Sequence, residues 1–333
     1  MIPPKPVVLA HFGLRRNPFG RLQSSDDYYR SPEFRLALQM VEYALDHDDV
    51  VAFVGDIGSG KTDAMEMVQE VLAAEPDRKV QFIRPEVPDK GYLRIQHVTE
   101  AMLHELQMDT LPASVQRRNW LLRKLLTQLR QLGQKTCLVL DEAHRLTGPF
   151  LKSLKEFHEQ MRFGLRASLF SVVLIGHRHL LEHYAKVARD VWERLDVGNC
   201  ALLGQMNPLE GSAYIAHRLA SVGAPELFDE AARLAAARLA TSPLALNVVC
   251  WKVLEAAYLE GQPRITESSV LAAFDRGALA ERLGLSLGEI AARAGLGKST
   301  VSDALKGKAG PKAVEAVDQV LRGARPLAAA AEA

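Results

Sequence analysis

Eight residues constrain this chain more than any others. Gly55-Asp56-Ile57-Gly58-Ser59-Gly60-Lys61-Thr62 follows the apolar run Val50–Val54 and precedes helical periodicity at 63–74. The pattern G-x-x-x-x-G-K-[ST] between a strand and a helix describes a phosphate cradle. Its glycines let backbone N–H groups turn inward, and the positive end of the following helix adds to the field. Lys61 is placed to neutralise β- and γ-phosphates, and Thr62 to ligate Mg²⁺.

Further continuous apolar runs at 80–83, 136–140 and 170–175 alternate with helical stretches such as 115–132. Such alternation predicts a parallel sheet with crossover helices, the α/β class. Ser31-Pro32-Glu33 predicts a helix start, with Phe34, Leu38, Val41 and Leu45 recurring on one face. The run 136–140 ends in Asp141-Glu142, two acids at the end of a buried strand. There Asp141 would hold Mg²⁺ through water, and Glu142 would orient or deprotonate the attacking water.

After Pro208 the strand signals stop. Residues 210–221, 228–240 and 244–259 read as helices, broken at Gly223-Ala224-Pro225, Thr241-Ser242-Pro243 and Gly261-Gln262-Pro263. The expected organisation is an irregular arm over 1–30, an α/β domain over 31–207 and a helical lid over 208–276. A small helical domain over 277–323 and a tail over 324–333 complete it.

Charge and cysteine content narrow the function classes. Lys plus Arg total 41 against 40 Asp plus Glu, which excludes nucleic-acid binding by bulk charge and leaves only local patches. Three unpaired cysteines exclude a disulfide scaffold and a zinc ribbon and suit a reducing cytosol. There is neither an apolar run of transmembrane length nor a signal-peptide pattern at the start, so the expectation is a cytoplasmic protein without a membrane partner.

Taken together, the phosphate loop, Asp141-Glu142, His11-Phe12-Gly13-Leu14 … Asn17-Pro18-Phe19 and Pro208-Leu209 … Ala213-Tyr214-Ile215-Ala216-His217-Arg218-Leu219 resemble AAA+ ATPases. The branch they resemble is the general secretion pathway protein A type, which is similar to the ATPase subunits of transposons and Mu-like phages. This resemblance spans roughly residues 10–275. It implies ATP bound between sheet domain and lid, usually at a subunit interface, with Asn17, Pro18 and Phe19 flanking the adenine. It implies a trans-acting arginine, for which Arg194 matches by position and Arg189 second, and a polar sensor at His177 near the γ-phosphate. The family usually carries Arg after Pro in the lid helix; here Leu244 stands there, which implies slow turnover or ATP used as an assembly switch.

The segment 287–305, LGEIAARAGLGKSTVSDAL, has helix-turn-helix patterning and resembles repressor-like DNA-binding domains. The Gly295-Leu296-Gly297-Lys298-Ser299-Thr300 string within it lacks the first glycine of a phosphate loop, having Ala292, and follows no strand. The second helix is expected to start near Lys298-Ser299-Thr300 with a capping hydroxyl. Lys298, Ser299, Thr300, Ser302, Asp303 and Lys306 are its candidate DNA contacts. A second candidate surface is the acid-free stretch 110–140, whose Arg117, Arg118, Arg123, Lys124, Arg130 and Lys135 accompany an apolar stripe of Trp120, Leu121, Leu125, Leu129 and Leu132. Arg117, Arg118, Arg123 and Lys124, with Lys152 and Lys155 on the helix after the acid pair, are the candidates there for phosphate contact.

These features point to an ATP- and Mg²⁺-dependent protein that oligomerises on double-stranded DNA as a ring or filament and assists a transposase. A nucleotide-switched transcription regulator is the alternative; a secretion-type ATPase fits less well, because a DNA-reading unit stands where a membrane span is expected.

Overall fold

The computed structural model describes residues 5–76, 78–85, 93–108, 110–164, 167–187, 199–204, 206–274, 276–282, 284–306 and 308–323. The chain divides into two compact units, 30–204 and a second made of 1–29 with 205–333.

The first unit is the α/β one. It contains α2 (Pro32–His47), β1 (Val50–Val54), α3 (Lys61–Ala73), β2 (Lys79–Ile83), α4 (Ile95–Glu105), α5 (Val115–Gln131), β3 (Gln134–Leu140), α6 (Gly148–Gln160), β4 (Arg162–Phe163), β5 (Ala167–Ser168), β6 (Ser171–Gly176), α7 (His179–Val187) and β7 (Cys200–Leu202); α1 (Lys5–His11) belongs to the arm. Five strands form one sheet in the order β2-β3-β6-β1-β7, every pair parallel. The pair β4–β5, too short to show a period, is a short antiparallel ribbon.

Continuous apolar runs form these strands because both faces are buried. Ala52, Val54, Leu138, Leu140, Val172 and Leu174 share one core with Leu103, Leu122, Leu126, Leu151 and Leu154 from α4, α5 and α6. Their alternates Val51, Phe53, Val139, Val173 and Ile175 are buried as well. Ser31 caps α2 through the amide of Phe34, with Pro32 in its first turn. The apolar face of α5 corrects the expected stripe: Leu122 and Leu126 are fully buried, whereas Trp120 is 61% and Leu132 is 75% exposed.

In the second unit the arm is not irregular throughout: Lys5–His11 forms α1, with Val8 fully buried. The remaining helices are α8 (Pro208–Ala220), α9 (Glu230–Leu239), α10 (Pro243–Leu259), α11 (Glu267–Phe274), α12 (Arg276–Arg282), α13 (Leu287–Ala294), α14 (Lys298–Leu305) and α15 (Pro311–Gly323). Asn207 and Glu210 form a reciprocal capping box at the start of α8.

Val8, Leu14 and Phe19 of the arm join Ile215, Leu219, Phe228, Leu246 and Leu254 in one core. The buried Arg218 guanidinium donates to the carbonyls of Pro18 and Gly20, each at 2.6 Å. Arg16 makes a bidentate pair with buried Asp27 and donates to the carbonyl of Ser221. Two segments some 200 residues apart, Asn17-Pro18-Phe19 and Tyr214–Leu219, are thus one packing device.

Helices α12–α15 surround a separate small core of Ala280, Ile290, Ala291, Val301, Ala304, Val317 and Leu321. An ion pair between Arg276 and Asp318 ties α12 to α15. Ser286 caps α13 and forms a box with Glu289, and Gly295 closes that helix in the left-handed region at φ +66°. The expected capping hydroxyl on the next helix is corrected: the N-cap of α14 is Gly297, without a side-chain bond.

Candidate functional site

The C-terminal ends of β1, β3 and β6 come together by parallel register, Leu140 beside Leu174 and Val54 beside Gly176. Ligands of open parallel sheets gather at such ends. From β1 the chain enters the loop Gly55–Thr62, where Gly58 and Gly60 take φ of +77° and +81°, a region that glycine enters without strain. The first amides of α3, which no helical carbonyl can satisfy, open onto this loop. Asp56 and Ile57 are exposed at its rim, and Ser59 is buried at its base.

Ser59 is held from beneath by Gly55 and Gly204. A Cβ on Gly55 would lie 2.3 Å from the Leu203 carbonyl oxygen, and one on Gly204 would lie 2.0 Å from the Ser59 Cβ. The strand that brings Gly204 there, β7, is too short to be legible as a periodic run.

Lys61 spans the loop. Its ammonium donates to the carbonyls of Gly55 and Asp56, each at 2.9 Å, and to Ser59 Oγ at 3.4 Å. Burial pushes its pKa down, and the carboxylates of Glu142, Asp141 and Asp56 oppose that shift. Thr62 Oγ1 donates to Asp141 Oδ2 at 3.3 Å, which brings the two candidate Mg²⁺ ligands together across two elements. The other Asp141 oxygen accepts from the Glu142 amide at 2.7 Å, and Glu142 itself takes φ +51°. That turn leaves the Glu142 carboxylate half-exposed, with Arg145 at 3.4 Å and His144 at 3.6 Å.

His177, at the end of β6, packs edge-on against His144 with ring centroids 4.4 Å apart. Nothing in the sequence singled out His144; its place emerges only when β3 and β6 pair. Burial lowers its pKa, with Glu142 opposing. Arg178 is a further missed neighbour, 3.5 Å from the loop carboxylate Asp56. The donor set therefore suits a nucleotide phosphate with a divalent cation: a glycine-shaped loop at a helix N-terminus, one lysine, and a hydroxyl and a carboxylate in contact.

Other candidate residues lie elsewhere. Arg194 and Arg189 fall outside the described residues. Within the helical unit, Phe19 is buried edge-on to Phe228 at 5.9 Å, the Pro18 carbonyl serves Arg218, and Asn17 Oδ1 accepts from the Phe19 amide. Leu244 is exposed in the first turn of α10.

The basic stretch on α5 is smaller than its composition indicates. Arg118 pairs with Glu100 and donates to the Pro112 and Ala113 carbonyls. Arg130 binds Asp48 bidentately, and Lys135 donates to the Leu45 carbonyl. Arg117, Arg123 and Lys124 remain exposed, Lys124 lying over the Trp120 ring. Lys152 is exposed and Lys155 half-buried on α6. On α14, Lys298, Ser299 and Asp303 are exposed with Lys306 just beyond, and Thr300 and Ser302 are half-buried.

Comparison with known proteins fits this geometry. Residues 44–183 match the AAA domain family. The Aeropyrum pernix ORC2 protein, solved in ADPNP–ADP complexes, superposes with a TM-score of 0.56 at 14% identity over 93% of this chain and 85% of that one. Cdc6p from Pyrobaculum aerophilum gives 0.53 at 16% identity over 96% and 85%. A chain of Drosophila ORC bound to DNA gives 0.51 at 15% identity over 94% and 77%. No curated protein sequence matches this chain significantly. The fold is that of an AAA+ P-loop protein followed by a helical region, and among the described residues no helix is long and apolar enough to cross a membrane.

Proposed function

We propose that this AAA-domain chain binds and hydrolyses ATP with Mg²⁺, assembles with copies of itself on double-stranded DNA in the ATP state, and helps a transposase engage its target. The observation that carries the nucleotide reading is the meeting of two sequence-distant pairs, Lys61-Thr62 and Asp141-Glu142, at the C-terminal ends of the parallel strands. Lys61 lies across the loop, Thr62 touches Asp141, and Glu142 projects beside them.

In this reading Lys61 exchanges its carbonyl partners for β- and γ-phosphate oxygens. Thr62 and Asp141 would hold Mg²⁺, which would supply charge neutralisation at the phosphates. Glu142 would orient the attacking water, and His177, packed against His144, would serve as the polar sensor. Arg194 of a neighbouring copy would complete the charge stabilisation, and Asn17-Pro18-Phe19 would flank the base. With Leu244 in place of a cationic lid residue, turnover is slow and the bound nucleotide acts chiefly as an assembly signal.

DNA binding is supported by the exposed face of α14 with Lys298, Ser299, Asp303 and Lys306, and by the exposed cations Arg117, Arg123, Lys124 and Lys152. Residues 281–333 hold eight Lys/Arg against six Asp/Glu, so one copy binds weakly and assembly multiplies affinity. The helix pair also supports a second reading, a nucleotide-switched regulator at a palindromic operator.

Electron microscopy of the full chain with long duplex DNA, with and without a non-hydrolysable ATP analogue, tests the proposal. Analogue-dependent rings or filaments on DNA of any sequence support it. Footprinted half-sites at one short palindrome, with no assemblies, would replace it with the regulator reading.

A further inference from the structure

Taken together as a ligand set, three side chains beside the phosphate loop offer a metal chemistry beyond what ATP hydrolysis uses. Glu142, His144 and His177 each offer one ligand atom, and these atoms lie within 4.8 Å of one another. His144 Nε2 is already 3.6 Å from Glu142 Oε2. Ligand atoms about 2.0 Å from a tetrahedral ion stand roughly 3.3 Å apart, so one edge of the polyhedron is nearly set.

The carriers are held in place. His144 and His177 follow adjacent paired strands, and Gly176 lets the two strand ends approach, since a Cβ there would be 3.3 Å from the His144 amide nitrogen. The Tyr184 hydroxyl donates to the Ala143 carbonyl and fixes the turn between the acids and His144.

We propose that Glu142, His144 and His177 form a site for a transition-metal dication of the Zn²⁺ type, and that filling it arrests hydrolysis with ATP still bound. Two imidazoles and one carboxylate select Zn²⁺, Co²⁺ or Ni²⁺ over Mg²⁺, which keeps oxygen ligands. The ion takes the Glu142 carboxylate in exchange for Arg145, and the water loses its orienting base. Lys61, Thr62 and Asp141 stay free for the triphosphate and its Mg²⁺. The arrest rests on the role of Glu142 proposed above; the metal site does not.

The test uses the full chain and Zn²⁺ alone, followed by calorimetry, with Co²⁺ absorption as the probe of coordination. One Zn²⁺ per chain and a tetrahedral Co²⁺ spectrum are expected. H144Q and H177Q should each weaken Zn²⁺ binding at least about tenfold, with unchanged circular dichroism, while H179Q, at a neighbouring exposed histidine, should bind as the wild type does. ATPase activity of the wild type should fall on Zn²⁺ addition while ATP affinity holds, and whatever turnover H144Q retains should no longer respond to Zn²⁺. Absent Zn²⁺ binding, or binding that survives both H144Q and H177Q, overturns the site. Zn²⁺ binding at these residues without loss of turnover overturns the arrest. A chain that binds Zn²⁺ here yet never binds ATP retains the metal site and refutes the nucleotide reading instead.

Discussion

Gly204→Ala is the sharpest probe of how the phosphate loop is supported. An alanine Cβ at 204 would lie 2.0 Å from Ser59 Cβ, 2.5 Å from Ser59 Cα and 2.9 Å from Ser59 O. Carbon atoms pack at about 3.5–4.0 Å, so Ser59 must retreat by roughly 1.5 Å. The obstacle is largely backbone and cannot swing aside. The left-handed φ of +95° adds about 1–3 kcal/mol of strain to about 1–3 kcal/mol of overpacking. Taking about 4 kcal/mol, the melting midpoint of a unit this size falls by roughly 10 °C. The displaced loop loses one or two charge-assisted contacts of about 1.5–3 kcal/mol each, a drop in ATP affinity of about 10- to 100-fold or more. Gly223→Ala is the control: its φ is +77° but nothing lies within 4 Å of the new Cβ, so only the strain of about 1 kcal/mol is felt. Calorimetric titration of both variants with ATP and Mg²⁺ decides the matter. Wild-type affinity in Gly204→Ala would refute the idea that β7 underpins the loop.

Other substitutions separate the roles. Lys61→Ala should abolish ATP binding by titration, whereas Glu142→Gln should retain binding, lose turnover and stabilise assemblies on DNA; unchanged turnover removes Glu142 from its role. Arg16 holds the Asp27 carboxyl well below the ordinary carboxylate range, so the pair stabilises the helical unit above about pH 4 and that contribution is lost as acid protonates Asp27. Asp27→Asn should cost about 3 kcal/mol at pH 7 and flatten the acid limb of a pH-denaturation curve; an unaltered limb counts against the pair. Deleting 281–333 should weaken DNA binding in a filter assay while the sheet unit melts normally, and undiminished binding shifts the contacts to α5. Replacing Arg117, Arg123 and Lys124 by Ala should reduce the salt slope of DNA binding by up to about three, whereas an unchanged slope clears α5 of phosphate contact.

Local chemistry made much of the α/β unit legible. Apolar runs bounded by glycine gave β1, β3 and β6, and Ser31-Pro32 gave the start of α2. The three-residue β7 and the two-residue β4 and β5 carry no period to read. Which cations on α5 stay free was not legible either. Arg130 is neutralised by Asp48, 82 positions away, which occupies the left-handed cap of α2. His144 gained meaning only from the pairing of β3 with β6. Pattern reveals what a residue does to its own element; tertiary partners need the sheet order first.

The helical unit is encoded in two pieces with the sheet unit inserted between them. Arg16 and the Ser221 carbonyl it serves are 205 positions apart. At about 5–20 residues per second, a ribosome takes roughly 10–40 s to bridge that distance. Throughout that interval Val8, Leu14 and Phe19 have no core of their own to enter. The insert must therefore close around its own strands first, and the earliest-made segment is the last to be seated.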